Sequence, residues 1–291
     1  MLSSRSRTIL CGLLVWMCMV CSAEAQRQRV LDPIAAKLEP TRKVVYKKVG
    51  DRELLLHIFE PEGHQPSEKR AVLLGIHGGG WTGGEPRRFY PIADRFRKLG
   101  IVGISLEYRL LNKPAGTTVF DCVRDGRDAV RYIRSHAVEL GIDPDKIVVS
   151  GASAGGHVAV GTALFDGIDE DSNQNTISCK PNALVLYYPV IDTSSEGYGQ
   201  QKIGDEWRTI SPVDQVKPYT PPTILFHGTG DTVTPYTGAV EFQQKMIELN
   251  NDCELISQQD GVHGYLIFDL ELYESAMQRT EQFLRQQKMI Q

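Results

Sequence analysis

The chain has 291 residues, 41% of them hydrophobic and 23% charged, with a formal net charge of −4. That composition suits a globular chain with a sizeable core, and single α/β domains of roughly 200–250 residues are routine. No stripe of lysine and arginine is present to displace phosphate counterions, so nucleic acid is excluded as a partner.

In chain order, Arg5 and Arg7 precede an uncharged apolar run over 9–21, and Ala23-Glu24-Ala25 offers small residues at an A-x-A cleavage position. This is the pattern of a secretory signal peptide over 1–25, and the run is shorter than the ~20 apolar residues of a spanning helix. The expectation is export to the periplasm or the extracellular space. An uncleaved membrane anchor is the rival. The cysteines at 11, 18 and 21 lack the small residues expected before a lipidated cysteine. A polar leader is expected over 26–42 and one folded domain over 43–291. Removal of the signal leaves Cys122, Cys179 and Cys253, whose odd number and wide spacing fit neither a disulfide framework nor a zinc site. At most one bridge is possible, and Cys122 falls inside a helical pattern as a core residue.

Residues 43–49 and 54–60 alternate in polarity and predict two antiparallel strands joined by a turn at Gly50-Asp51. The pattern then changes to buried strands alternating with amphipathic helices. Strands are predicted over 71–76, 101–108, 146–150, 183–188, 223–227 and 254–258. Helices are predicted over 88–99, 119–140, 154–165, 237–250 and 270–286. Such alternation implies a mostly parallel sheet with helices on both faces. Two polar stretches, 166–181 and 189–222, break the rhythm, and the longer one is a candidate cap.

Two motifs carry chemistry. Gly151-Ala152-Ser153-Ala154-Gly155 joins a predicted strand to a predicted helix, the context in which G-x-S-x-G places a nucleophile on a strained turn with small neighbours. The alternative is a serine that merely caps the helix. His77-Gly78-Gly79-Gly80-Trp81 follows the strand 71–76. Its glycines let backbone N–H groups approach a developing oxyanion, with Gly79, Gly80 and Ala154 as candidate donors. By itself a triple glycine could equally be a flexible loop.

His77–Trp81, Ile104-Ser105-Leu106-Glu107-Tyr108-Arg109-Leu110 and Gly151–Gly156 together resemble the HGGG esterases and lipases related to hormone-sensitive lipase. The chain is also similar to compact esterases that deacylate plant polysaccharides. The resemblance implies an α/β-hydrolase fold with a short cap and a triad in the order serine, acid, histidine. The acid then falls at Asp231 in His227-Gly228-Thr229-Gly230-Asp231, with Asp192 as its rival. The base falls at His263, between the last strand and the last helix.

Of the other histidines, His57 alternates on an early strand and His64 and His136 read as solvated. His77 and His227 close strands, and His157 faces either the site or the core. Asp121, Arg109 and Glu107 resemble a structural ion cluster. No histidine pair has metal-ligand spacing with a third partner, so neither metal nor cofactor is expected. The implied activity is hydrolysis of short acyl esters, acetyl or feruloyl, of sugars or polysaccharides, or of small carboxylic esters. A serine peptidase of the same fold and a non-catalytic binding protein are the alternatives.

Overall fold

The computed structural model describes residues 28–169 and 176–290. The signal-peptide reading of 1–25 lies outside these residues, as do residues 170–175 of the first polar stretch. Eight strands form one sheet: β1 (Arg42–Val49), β2 (Arg52–Phe59), β3 (Arg70–Ile76), β4 (Val102–Leu106), β5 (Ile142–Ala152), β6 (Ala183–Tyr187), β7 (Thr223–Gly228) and β8 (Cys253–Gln258). Their spatial order is β1-β2-β4-β3-β5-β6-β7-β8. The β1–β2 and β2–β4 pairs are antiparallel and all others parallel.

Period-two alternation along the parallel strands divides the core between the two faces. Val72, Leu74, Ile76, Val149, Leu186 and Leu225 point to one face, where they meet α2 (Val119–Ser135), α3 (Ala154–Leu164) and α4 (Tyr236–Glu248). Leu73, Val148, Val185 and Ile224 point to the other, against α1 (Tyr90–Lys98) and α5 (Leu270–Gln286). Burying each such side chain contributes about 1.5–3 kcal/mol, so both faces need their helices. The expected mostly parallel, doubly covered sheet is the one observed.

Element boundaries depart from expectation where side chains intervene. The helix predicted to reach residue 140 stops at Ser135. There the Ser135 hydroxyl and His136 Nδ1 both bond the Tyr132 carbonyl, at 3.0 and 2.9 Å, competing with the helical ladder. The helix predicted from residue 88 starts at Tyr90, because Pro91 has no N–H and fits only the first turn. The described part of the leader expected over 26–42 packs on the domain: the Val30 N–H donates to the Ile267 carbonyl at 2.9 Å, and Leu31 is buried against the α1–α5 face. Among the described residues, no helix is long and apolar enough to cross a membrane.

Cys122, Cys179 and Cys253 are all buried and unbridged. Burial pushes each thiol's pKa up, which holds it protonated.

Candidate active site

β5 ends at Ala152 and α3 begins at Ala154, so Ser153 alone turns the chain. Its φ of 54° and ψ of −124° form a sparsely populated conformation that costs on the order of 1–3 kcal/mol. Surrounding bonds hold it there. The Ser153 N–H donates to the Tyr187 carbonyl at 2.9 Å, and the Ser153 carbonyl accepts from the Val190 and His157 amides at 3.1 and 3.2 Å. A Cβ on Gly151 would lie 2.2 Å from the Gly155 carbonyl oxygen, and one on Gly155 would lie 2.2 Å from that of Ile76. The missing side chains therefore bring α3 against the end of β3, so that the loop following β3 lies beside Ser153.

The structure brings Ser153, His263 and Asp231 together from the ends of β5, β8 and β7. Ser153 Oγ is 2.9 Å from His263 Nε2, and His263 Nδ1 is 2.8 Å from Asp231 Oδ2. An ionised carboxylate can only accept, so Nδ1 carries the proton and Nε2 is left to accept from the serine hydroxyl. Burial works against the charge on Asp231. The hydrogen bond and charge of His263, with the amides of Thr234 and Val233, outweigh it and hold the carboxyl below the usual range. Thr234 was not singled out from sequence, yet its hydroxyl donates to Asp231 Oδ2 at 3.0 Å and its amide to Oδ1 at 2.9 Å. The signal was the D-x-x-T spacing, since an aspartate readily bonds the backbone two and three residues on. Tyr188 packs its ring edge-on to His263, with centroids 5.2 Å apart, and so limits the imidazole's rotation.

Gly79 and Gly80 adopt φ values of +135° and +60°. Neither N–H donates to a carbonyl among the described residues. Gly79, Gly80 and Ala154 are thus candidate oxyanion donors flanking Ser153. The second polar stretch packs over this loop. Lys202 Nζ donates to the Gly80 carbonyl at 3.1 Å, and Tyr198 lies against the buried Trp81 ring at 5.5 Å. The stretch is fixed from below as well, because His157 Nε2 donates to the Ile210 carbonyl at 2.7 Å.

The other candidates resolve as follows. Asp192 does not reach His263. Its two oxygens bond the Ser194 amide and hydroxyl at 2.7 and 2.9 Å, closing a local turn. His157 is fully buried between Trp81 and Phe165, a packing role. His227 braces the acid loop through the Thr234 carbonyl at 2.7 Å, and His77 stacks on Tyr108 at 4.6 Å. His64 is not solvated: its ring bonds Glu68 and the Leu140 carbonyl at 2.8 and 2.9 Å. Arg109 pairs with Asp121 at 3.2 Å, but its bidentate partner is the fully buried Asp125 at 2.8 Å, a residue absent from the expected cluster. Glu107 pairs with Arg52 instead, at 3.1 Å. Among the described residues no group of three His, Cys, Asp or Glu stands where it could hold a metal.

Burial lowers the pKa values of His57, His77 and His157 to about 4 each, against 6.5 in an unfolded chain. Between pH 6.5 and 4 the unfolded state therefore binds more protons than the folded state, and stability rises with pH across that window. Calorimetry is expected to give a lower Tm at about pH 5 than at about pH 7, with net proton uptake on unfolding. A Tm independent of pH over this window would contradict the buried, neutral state of these rings.

Ser153 and His263 open onto a pocket of about 430 Å³. Its inner wall is apolar and comes from the α1–α5 face, with Leu31, Phe89, Ile92, Leu266, Tyr273 and Met277. Of the aromatics near the second polar stretch, Tyr187, Tyr188 and Tyr198 line this pocket, whereas Tyr219 is exposed.

The sheet order and the strained serine between strand and helix are those of an α/β-hydrolase. The chain belongs to the BD-FAE family, whose model matches residues 56–246. It is similar to esterase 2 of Thermogutta terrifontis, with 34% identity, a TM-score of 0.81, and coverage of 86% of this chain and 96% of that one. Other structures of that esterase hold propionate or butyrate, or are phosphorylated by paraoxon. The chain is also similar to an acetylxylan esterase of Xylanibacter ruminicola, at 25% identity over 78% of this chain and 47% of that protein. Esterase LipQ of Mycobacterium tuberculosis is 27% identical over 64% of this chain and 48% of its own length. The chain spans about half the length of these curated relatives.

Proposed function

We propose that this chain is an exported serine esterase acting on short acyl esters of sugars or polysaccharides, or on small carboxylic esters. The observation that carries this reading is the unbroken chain from Ser153 Oγ through His263 to Asp231, opening onto an apolar pocket. His263 Nε2 takes the proton of Ser153 as Oγ attacks the ester carbonyl. Negative charge builds on the carbonyl oxygen, and the N–H groups of Gly79, Gly80 and Ala154 stabilise it, each worth about 2.7–4 kcal/mol in comparable sites. Asp231 stabilises the imidazolium, which then protonates the leaving alcohol. The acyl-Ser153 intermediate forms, and His263 activates the water that releases the acid.

The acyl range is supported by the propionate and butyrate found in the Thermogutta esterase, and sugar esters by the acetylxylan esterase relative. Export is supported by the signal-like pattern over 1–25. Paraoxon is expected to inactivate the enzyme with one diethylphosphoryl group on the peptide containing Ser153, read by mass spectrometry. p-Nitrophenyl butyrate is expected to turn over in the presence of EDTA, and faster than long-chain triglycerides. Labelling elsewhere, activity restored only by added metal, or a preference for long-chain triglycerides would sink this reading.

A further inference from the structure

Apart from the histidines, the charged side chains that line the pocket at Ser153 are two cations, Arg29 and Arg88, and no carboxylate lines it. In a chain of net charge −4, a pocket with two guanidinium groups and no acidic residue departs from the surrounding charge balance. Other arginines on this side of the molecule are matched by acids: Arg87 pairs with Glu39 at 3.5 Å, Arg97 with Asp94 at 2.7 Å, and Arg95 with Glu274. The pocket pair is matched less fully, by one ion pair on Arg29 and by none on Arg88 among the described residues. The Arg88 side chain is exposed and has no ion pair or hydrogen bond among the described residues. Arg29 Nε is buried without a hydrogen-bond partner, and the nearest carboxylate, on Asp32, stands 3.6 Å away.

Both cations belong to the pocket wall. Both act electrostatically on the Tyr188 hydroxyl, and the Tyr188 ring packs on His263. Arg88 also acts on His77, at the start of the glycine loop. Both arginines line the pocket that opens at Ser153. A guanidinium offers a planar set of donors that fits a carboxylate bidentately. A pair at Arg29, whose Nε is buried, is screened less than one on open surface.

Taking the esterase reading as its basis, we propose that Arg29 and Arg88 form an anion subsite that selects esters bearing a free carboxylate. The neutral hydrocarbon part of such a substrate lies along Leu31, Phe89 and Ile92, and the carboxylate meets the two guanidinium groups. Specificity then comes from charge at one end of the pocket and apolar contact along the other. The subsite itself takes no part in bond making or breaking.

Two matched probe pairs test this at low ionic strength. Mono-4-nitrophenyl adipate against 4-nitrophenyl hexanoate places the charge on the acyl side. 4-Acetoxybenzoate against 4-acetoxybenzamide places it on the alcohol side. For at least one pair, kcat/KM for the anionic probe is expected to exceed that for the neutral one by about fivefold or more, as two partly exposed ion pairs would give. The pair that shows the preference identifies the side. R29Q and R88Q are each expected to lower the ratio, the double variant to bring it near one, and R88K to keep part of it. Added salt is expected to compress the ratio in the parent. A parent ratio below fivefold in both pairs, or a ratio that R29Q/R88Q leaves within twofold of the parent's, overturns the subsite. If the parent hydrolyses none of the four probes, it is the esterase reading that fails.

Discussion

Ser153→Ala is expected to reduce kcat for p-nitrophenyl butyrate by about 10⁶-fold, the loss seen when a serine nucleophile is removed from an intact triad. The replaced group is the one whose Oγ lies 2.9 Å from His263 Nε2, and no other hydroxyl among the described residues bonds that nitrogen. The fold is expected to survive. Ser153 is held by its own backbone bonds to Tyr187, Val190 and His157, none of which involves Oγ. His263 is partly exposed, so water can satisfy Nε2 once the hydroxyl is gone. A change in stability of up to ~1 kcal/mol would shift Tm by only about 2–4 °C in a domain of this size. Turnover above roughly a thousandth of the parent's by pure, folded Ser153→Ala would place the nucleophile elsewhere. Complete loss of activity accompanied by unfolding would leave the serine a structural residue, which paraoxon labelling of the parent then distinguishes.

Asp231→Asn is expected to lower kcat about 10⁴-fold while leaving the melting temperature near the parent's. An amide facing His263 Nδ1 presents N–H groups, so the imidazole turns to the tautomer protonated on Nε2 and can no longer accept the serine proton. The loop should persist, because the asparagine oxygen can still accept from the Val233 and Thr234 amides, each now at 2.9 Å from Asp231 Oδ1. Acidification acts on the same atom. The folded pKa of Asp231 lies below its unfolded value, so its contribution to stability is present at neutral pH and is lost as pH falls through the folded value. Asp192→Asn is the control. Among the described residues the Asp192 side chain bonds only Ser194, and it does not line the pocket, so kcat is expected to stay within about threefold. A dead Asp192→Asn alongside an active Asp231→Asn would require the triad to be redrawn.

What the sequence determined by itself was local. Short runs rich in apolar residues, most of them bounded by glycine or proline, located the strands of the parallel sheet. The five principal helices were legible from their apolar spacing, and the longest error, at the end of α2, fell where side-chain bonds to a carbonyl intervened. Ser153 and the glycine loop were legible because a strained turn and a close backbone approach each demand small residues at fixed neighbours. Asp231 and His263 could be placed through the family pattern, since the chain order of strand ends is itself a sequence property. The tertiary structure decided what depends on residues far apart. Ser153 and His263 are 110 positions apart, and only the parallel sheet brings their atoms to hydrogen-bond distance. Asp125 rather than Glu107 holds Arg109, because α2 packs its buried face over that loop. The pocket's inner wall combines Leu31, from the expected polar leader, with the loop after His263 and with apolar residues of α1 and α5 that looked from sequence like ordinary core. Burial alone does not tell a packed side chain from one that lines a cavity. That difference lies in what stands opposite, and only the folded chain supplies it.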